Sequence, residues 1–96
     1  MNININSVHF DADKKLEGFI EKKVSKIIDR HDDVIGVDVV LKLDNVQDAD
    51  NKITEIKVDV KGKDIFVKKK SNSFEDAADM AVEALRRQLK KHKETR

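Results

Sequence analysis

The chain has 96 residues and a mass of 11.0 kDa, the size of one domain with one apolar core, so we expect a single domain over residues 1–96. It contains no cysteine, which excludes a disulfide scaffold, a thiolate metal site and a cysteine nucleophile. No apolar run approaches the ~18 residues of a membrane span, and no signal-peptide pattern opens the chain. The sequence therefore predicts a cytoplasmic protein.

Charge is distributed unevenly along the chain. Charged residues make up 41% of the sequence, and the net charge is +1. Residues 31–60 nevertheless carry three basic and eight acidic side chains, whereas residues 61–96 carry eleven basic and six acidic ones. This bipolar pattern has two interpretations: one basic surface that faces a polyanion, or a highly charged surface that is simply solvated.

The first third of the chain predicts a strand followed by a helix. Residues 5–10 are rich in strand formers. From Asp11 or Asp13, either of which can cap a helix, apolar residues recur every three or four positions to about Arg30. This stripe consists of Leu16, Phe19, Ile20, Val24, Ile27 and Ile28. Gly18 costs about 1 kcal/mol relative to alanine inside a helix, so we expect another part of the chain to pack closely against it.

Three further strands are predicted in the middle of the chain. Residues 37–43 alternate apolar and polar side chains, as in a half-buried strand. Residues 44–51 are dense in turn-forming residues and indicate a loop. The segments 56–60 and 65–67 then read as two strands of a hairpin, joined by a turn at residues 62–64.

A second helix closes the chain. Ser73 and Asp76 have the spacing of a capping box, and an apolar stripe with helical period follows. Its members are Phe74, Ala78, Ala81, Val82, Leu85 and Leu89. The order of elements is β-α-β-β-β-α, which predicts an α+β fold: a two-layer sandwich with a four-stranded sheet and both helices on one face. The first helix is the crossover, so we expect the first two strands to be parallel.

The sequence offers little for catalysis or metal binding, and we expect neither an enzyme nor a cofactor. The three histidines lie on different predicted elements, without a second ligand at a recognised spacing: His9, His31 and His92. Residues 31–33 combine an imidazole with two carboxylates, but a helix C-terminus by itself favours a histidine. The loop carboxylates Asp44, Asp48 and Asp50 lack the glycine and the distal glutamate of a calcium loop. We interpret His92 as a packed or capping residue.

Basic residues form the strongest functional signal. Three clusters can converge if the helices pack side by side: Lys22, Lys23, Lys26 and Arg30; Lys68, Lys69 and Lys70; Arg86, Arg87, Lys90, Lys91 and Lys93. Helix dipoles and i,i+4 pairs such as Glu83 with Arg87 explain two or three of these cations. They do not explain six basic residues among residues 86–96. The clusters therefore favour polyanion binding, and structured RNA above all, because the chain has four Phe but no Tyr or Trp to stack on unpaired bases.

The residues also resemble a known family over essentially the whole chain. The chain is similar to the short ribosome hibernation-promoting factors and the related ribosome-associated inhibitors of bacteria. Three stretches carry the resemblance: VHFDADKKLEGFIEKKVSKI (residues 8–27), VDVVLKLDNVQ (37–47) and SFEDAADMAVEALRRQLKKHK (73–93). The basic, leucine-spaced ending ALRRQLKKHK (84–93) is the most diagnostic.

The resemblance implies a non-catalytic factor that binds the small ribosomal subunit where messenger and the A- and P-site tRNAs bind. It implies inhibition of translation and protection of idle ribosomes under stress or in stationary phase. The family's basic helices face ribosomal RNA, which implies this role for the helix clusters, whereas the lysines at 68–70 are assigned from charge alone. We expect no C-terminal dimerisation domain of the kind found in the long form, and a monomer with no small-molecule substrate and no membrane partner.

Two alternatives stay open. A stand-alone double-stranded-RNA-binding module has a similar order of elements, although that class normally begins with a helix and carries its basic cluster at the start of its last helix, where this chain has Glu75 and Asp76. The other alternative is a regulator that binds a protein through the acidic loop at residues 44–51.

Overall fold

A computed structural model of the protein contains the predicted order of elements. The structure describes residues 2–8, 10–44 and 51–94, with the side chains of all of these except residues 2, 93 and 94. The elements are β1 (Asn2–Val8), α1 (Lys14–Ile28), β2 (Val34–Leu43), β3 (Lys52–Val60), β4 (Lys63–Ser71) and α2 (Phe74–Glu94). The predicted α+β fold is confirmed.

The four strands form one sheet in the order β1-β2-β3-β4. β1 pairs with β2 in parallel, as predicted, and the other two pairings are antiparallel. The β3–β4 hairpin turns at Lys61 and Gly62, and Gly62 has a φ of 86°, which glycine adopts without a steric penalty. The turn lies one residue earlier than predicted, because Lys63 already pairs with Val60.

The core lies between the helices and one face of the sheet. Both predicted helical stripes contribute to it, with Ile20, Val24 and Ile28 from α1 fully buried. From α2, Leu85 has no exposed surface. The remaining buried residues of the cluster come from the inward face of the sheet and from α2: Val34, Val37, Val39, Leu41, Ile56, Val58, Val60, Ile65, Val67, Phe74, Ala78, Ala81, Val82, Ala84 and Leu89.

Both helices begin at the predicted polar caps. The Asp13 carboxylate accepts a hydrogen bond from the Leu16 N–H at 2.8 Å, so Asp13 rather than Asp11 caps α1. The Ser73 hydroxyl accepts one from the Asp76 N–H at 3.1 Å. The expectation for Gly18 was wrong, since that residue is exposed and an added Cβ would meet nothing within 4 Å.

In the described part of the chain both helices lie on the same side of the sheet, and we call the opposite side the open face. Its polar side chains pair across the strands: Lys42 with Glu55 at 3.2 Å and Asn4 with Asp38 at 3.2 Å. Phe66 also lies on this face and is 55% exposed. The residues of the open face include Asn4, Asn6, Val8, Asp38, Val40, Lys42, Ile53, Glu55, Lys57, Asp59, Asp64, Phe66, Lys68 and Lys70. Among the described residues, neither helix combines the length and the apolar composition needed to cross a bilayer.

Candidate nucleic-acid interface

The two helices lie side by side and run in the same direction. Their first turns line one groove together, and residues from their C-terminal halves line another. In between, the Lys23 ammonium is 2.6 Å from the Asp79 carboxylate and links α1 to α2. The parallel arrangement follows from the topology, because each helix returns antiparallel to the strand that precedes it, and β1 and β4 point the same way. The C-terminal halves of both helices therefore lie side by side at one end of the molecule.

A basic groove opens at this shared C-terminal end. It has a volume of about 360 Å³ and is lined by Lys26, Ile27, Arg30, His31, Arg86 and Lys90. Four of these side chains are permanent cations, and no lining residue is a carboxylate. The partial negative charge at the C-terminus of α1 stabilises Lys26, which lies in its last turn. We call these residues the basic groove; Lys26 comes from α1, Arg30 from the turn that follows it, and Arg86 and Lys90 from α2.

Other cations of α2 extend the positive surface outward. Arg87 and Lys91 are exposed, as the helical register predicted. Glu83 interrupts this surface, because it pairs with Arg86 and lies 4.0 Å from Arg87. The hydrogen bond from Arg86 is the main reason why the pKa of Glu83 falls below its usual range, and the same bond raises the pKa of Arg86. Both side chains are thus charged at neutral pH, and part of the charge of Arg86 is balanced within the protein.

The remaining predicted cations of α1 are divided between solvent and internal pairs. Lys22 is exposed and lies with Lys26 along the cleft between the helices. Lys23 is engaged, since its ammonium contacts Asp79 and also lies 5.1 Å from the centre of the Phe19 ring. Sequence spacing could not indicate the Lys23–Asp79 pair, because its members lie on different helices.

The lysine triplet of β4 does not join the basic groove. Strand alternation divides it, because Lys68 and Lys70 lie on the open face whereas Lys69 faces the side of the helices. On the open face Lys70 is 3.0 Å from the Asp44 carboxylate, and Lys68 stands opposite Glu55. Lys69 lines a separate groove with Arg87 of α2, so one member of the triplet lies near the helix cations whereas Lys68 and Lys70 lie on the open face.

The structure describes some of the histidines and aspartates that the sequence analysis considered for metal binding. His92 is largely buried, and its Nε2 lies 3.4 Å from the Asp33 carboxylate, which agrees with the interpretation of His92 as a packed residue. No group of three or more metal-ligating side chains occurs in the described ranges. His9, Asp48 and Asp50, like the side chain of Lys93, lie outside the described residues.

Comparison with known proteins identifies the family. The family model described as sigma 54 modulation protein / S30EA ribosomal protein matches residues 3–96. The chain belongs to this family. Two similar relatives are each named ribosome hibernation promoting factor. The one from Pseudomonas putida is 26% identical over 94 residues, which cover 98% of this chain and 88% of the relative. The one from Azotobacter vinelandii is 28% identical over 94 residues, covering 98% and 84%.

Two solved structures have folds similar to that of this chain. A ribosomal subunit interface protein from Coxiella burnetii superposes with a TM-score of 0.86 at 22% identity, covering 97% of this chain and 98% of that one. This likeness concerns the fold. The N-terminal domain of Protein Y from Thermus thermophilus superposes with a TM-score of 0.80 at 27% identity, covering 96% and 99%.

Proposed function

We propose that this protein is a ribosome hibernation factor that binds the small ribosomal subunit through the basic groove and the adjoining cations of α2. The observation that carries the proposal is the groove itself, which gathers cations from two helices and contains no carboxylate. Membership of the family and the names of the relatives indicate the ribosome as the partner. By the resemblance of the sequence, the bound position is the decoding channel, where messenger and the A- and P-site tRNAs would otherwise lie.

The geometry supports recognition of phosphates and groove shape. Arg87 offers a planar guanidinium group of the kind that binds phosphate oxygens in a bidentate manner, whereas Arg86 already donates from Nε and Nη2 to Glu83. Lys26 and Lys90 add point charges nearby. Base stacking contributes little on this surface, because the groove has no aromatic lining. Binding of this kind releases counterions from RNA and weakens as salt is added.

Inhibition then needs no chemistry by the protein, which acts by occupying the channel. A bound chain excludes messenger and tRNA and preserves the idle ribosome under stress or in stationary phase. We further propose that the free chain is a cytoplasmic monomer. In support, most of the apolar stripes of both helices is buried against the sheet, and the open face carries ion pairs such as Lys42 with Glu55 and Lys70 with Asp44.

A competition experiment tests the proposal. Purified protein is sedimented with salt-washed small subunits, either empty or loaded beforehand with messenger and P-site tRNA, and translation is measured in parallel. We expect co-sedimentation with empty subunits, at least about tenfold weaker binding to loaded ones, and inhibition of translation at the concentrations that give binding. Equal binding to empty and loaded subunits would contradict the position in the decoding channel.

The same experiment separates the alternative of a double-stranded-RNA-binding module, which the basic groove also fits. A naked RNA duplex replaces the subunits, in the same buffer and at the same salt concentration. A hibernation factor should bind the duplex at least about tenfold more weakly than the subunit, since the subunit offers phosphates on several sides of the channel. Equal affinity for the two RNAs would favour the alternative.

A further inference from the structure

The other end of the helix pair has a different chemistry. There the first turns of α1 and α2 and the segment between β1 and α1 line a groove of about 600 Å³, within the size range of sites that accept peptide side chains or small ligands. We call this the N-terminal groove. Its lining residues are Phe10, Asp11, Ala12, Asp13, Lys15, Leu16, Phe19, Phe74 and Glu75.

The floor of the N-terminal groove is aromatic and aliphatic. The rings of Phe10 and Phe74 stack with centroids 4.6 Å apart and planes inclined by 11°. Phe74 is buried, whereas Phe10, Leu16 and Phe19 stay half-exposed toward the groove. Partly exposed apolar side chains that line a concave surface favour an apolar anchor from a partner. A fully hydrated ion or a bare polyamine would leave this floor uncovered.

The rim of the same groove is acidic. Asp11, Asp13 and Glu75 are exposed carboxylates, and Lys15 is the one cation among the lining residues. Asp13 and Glu75 also stabilise the helix N-termini, but Asp11 has no capping role. The negative rim attracts cationic partners and repels the negatively charged backbone of RNA. The occupant must therefore combine cations with an apolar anchor.

We infer that the N-terminal groove binds a basic peptide segment of a protein partner, with a large apolar side chain seated on Phe10 and Phe74 and flanking Arg or Lys side chains at Asp11 and Glu75. Arginine suits both parts of this site, because its guanidinium stacks on aromatic faces and pairs with carboxylates. This inference goes beyond the proposed function, as it concerns the opposite end of the helices and a protein rather than RNA. With RNA bound at the basic groove, the N-terminal groove stays free for such a segment.

A titration of the isolated protein with defined peptides tests the inference without ribosomes. The probes are three capped hexapeptides: Lys-Arg-Leu-Phe-Arg-Lys, the unanchored Lys-Arg-Ser-Gly-Arg-Lys and the acidic Glu-Asp-Leu-Phe-Asp-Glu. Amide shifts in nitrogen-15 spectra give site and affinity. We expect the first peptide to shift residues 10–19 and 74–75 and to bind at least about tenfold more tightly than the other two. Equal binding of the unanchored peptide, or shifts centred on another surface, would overturn the inference.

Variants with matched changes of charge test whether the acidic rim contributes to peptide binding. The double variant Asp11→Lys with Glu75→Lys should weaken the first peptide about tenfold or more. The control, Glu21→Lys with Asp32→Lys, changes the charge equally at exposed residues outside the groove and should alter binding less than about twofold. Because a lysine in the first turn of α2 weakens the helix, the neutral pair Asp11→Asn with Glu75→Gln is measured as well and should weaken binding about threefold. An equal effect of the control would also overturn the inference.

Discussion

The helix surface and the open face of the sheet both carry many charges, but these charges are arranged differently on the two surfaces. On the open face, cations meet carboxylates on neighbouring strands, as Lys42 meets Glu55. In the basic groove, cations from two helices meet one another without a lining carboxylate. The difference arises because cross-strand pairing brings opposite charges within reach, whereas the packing of α1 against α2 brings cations from distant segments together. The number of cations whose charge no nearby carboxylate balances therefore indicates binding better than the number of lysines in the sequence.

The largest expected effect tests this contrast directly. The triple variant Arg87→Glu, Lys90→Glu and Lys91→Glu should weaken binding to small subunits at least about 100-fold, because it reverses exposed cations that we propose to contact phosphates. The matched triple on the open face, which replaces Lys57, Lys68 and Lys70 by Glu, should change the affinity less than about threefold. Co-sedimentation at constant salt measures both. A larger loss from the open-face triple would mean that the sheet, not the helix pair, contacts RNA.

Side-chain truncation compares the contribution of the core with that of the open face to the free energy of unfolding. Leu85→Ala removes a side chain with no exposed surface and should lower the free energy of unfolding by about 2–5 kcal/mol. Phe66→Ala on the open face should cost less than about 1 kcal/mol, since that ring is 55% exposed. Urea titrations followed by circular dichroism give both values. A loss at Phe66 as large as that at Leu85 would indicate a second packed layer on the open face.

Gly18→Ala should stabilise the protein by about 1 kcal/mol, because alanine is the better helix former and a Cβ at this position meets nothing within 4 Å. Affinity for small subunits should stay the same, since residue 18 does not line the basic groove. Thermal unfolding gives the gain in stability. A destabilised variant would reveal a neighbour that approaches this side of α1.

Glu83→Gln should strengthen binding to small subunits about two- to fourfold at neutral pH, because it releases Arg86 and Arg87 from an internal carboxylate. The pKa of Glu83 is lowered mainly by Arg86, so wild-type Glu83 keeps its charge until the pH falls below the usual carboxylate range, and the gain from the variant should disappear there. Glu55→Gln on the open face is the control and should leave affinity unchanged. Weaker binding by Glu83→Gln would show that the pair orients Arg86 for RNA.

The smallest effect concerns a like-charged pair on the open face. The pKa of Asp59 is raised, mainly through its hydrogen bond with Asp64, and the two residues are cross-strand partners. A raised folded-state pKa means that wild-type stability declines as the pH rises through the carboxylate range. Asp59→Asn should therefore raise the melting temperature at pH 7 and leave it unchanged near pH 3. Thermal unfolding at both pH values measures this, and a gain at pH 3 as large as that at pH 7 would exclude the charge explanation.

Much of the fold was predictable because its signals are local. The helical period, the caps at Asp13 and Ser73 and the glycine turn at Gly62 each depend on a few neighbouring residues. Strand ends were less predictable. β3 begins at Lys52, before the predicted segment 56–60, because pairing with β2 and β4 extends it through residues that do not alternate clearly.

The exposure of the candidate cations was predictable residue by residue, but their arrangement on the surface was not. Helical register identified the exposed cations of α2, such as Arg87 and Lys91. Which cations are balanced depends on partners far away in the chain, as with Lys23 and Asp79 or Lys70 and Asp44. Such pairs form only when tertiary packing joins distant segments, and no short-range spacing rule contains them.

The position of β1 at the edge of the sheet has a consequence for the order of assembly. β1 pairs with β2 alone, and this parallel pairing closes only after all of α1 has crossed over, whereas β2, β3 and β4 follow one another along the chain. We expect β2, β3, β4 and α2 to assemble first and the β1–α1 unit to dock last. Lys26 and Arg30 would then complete the basic groove in the final step of folding, and faster amide hydrogen exchange in β1 than in β3 would report the same step in reverse.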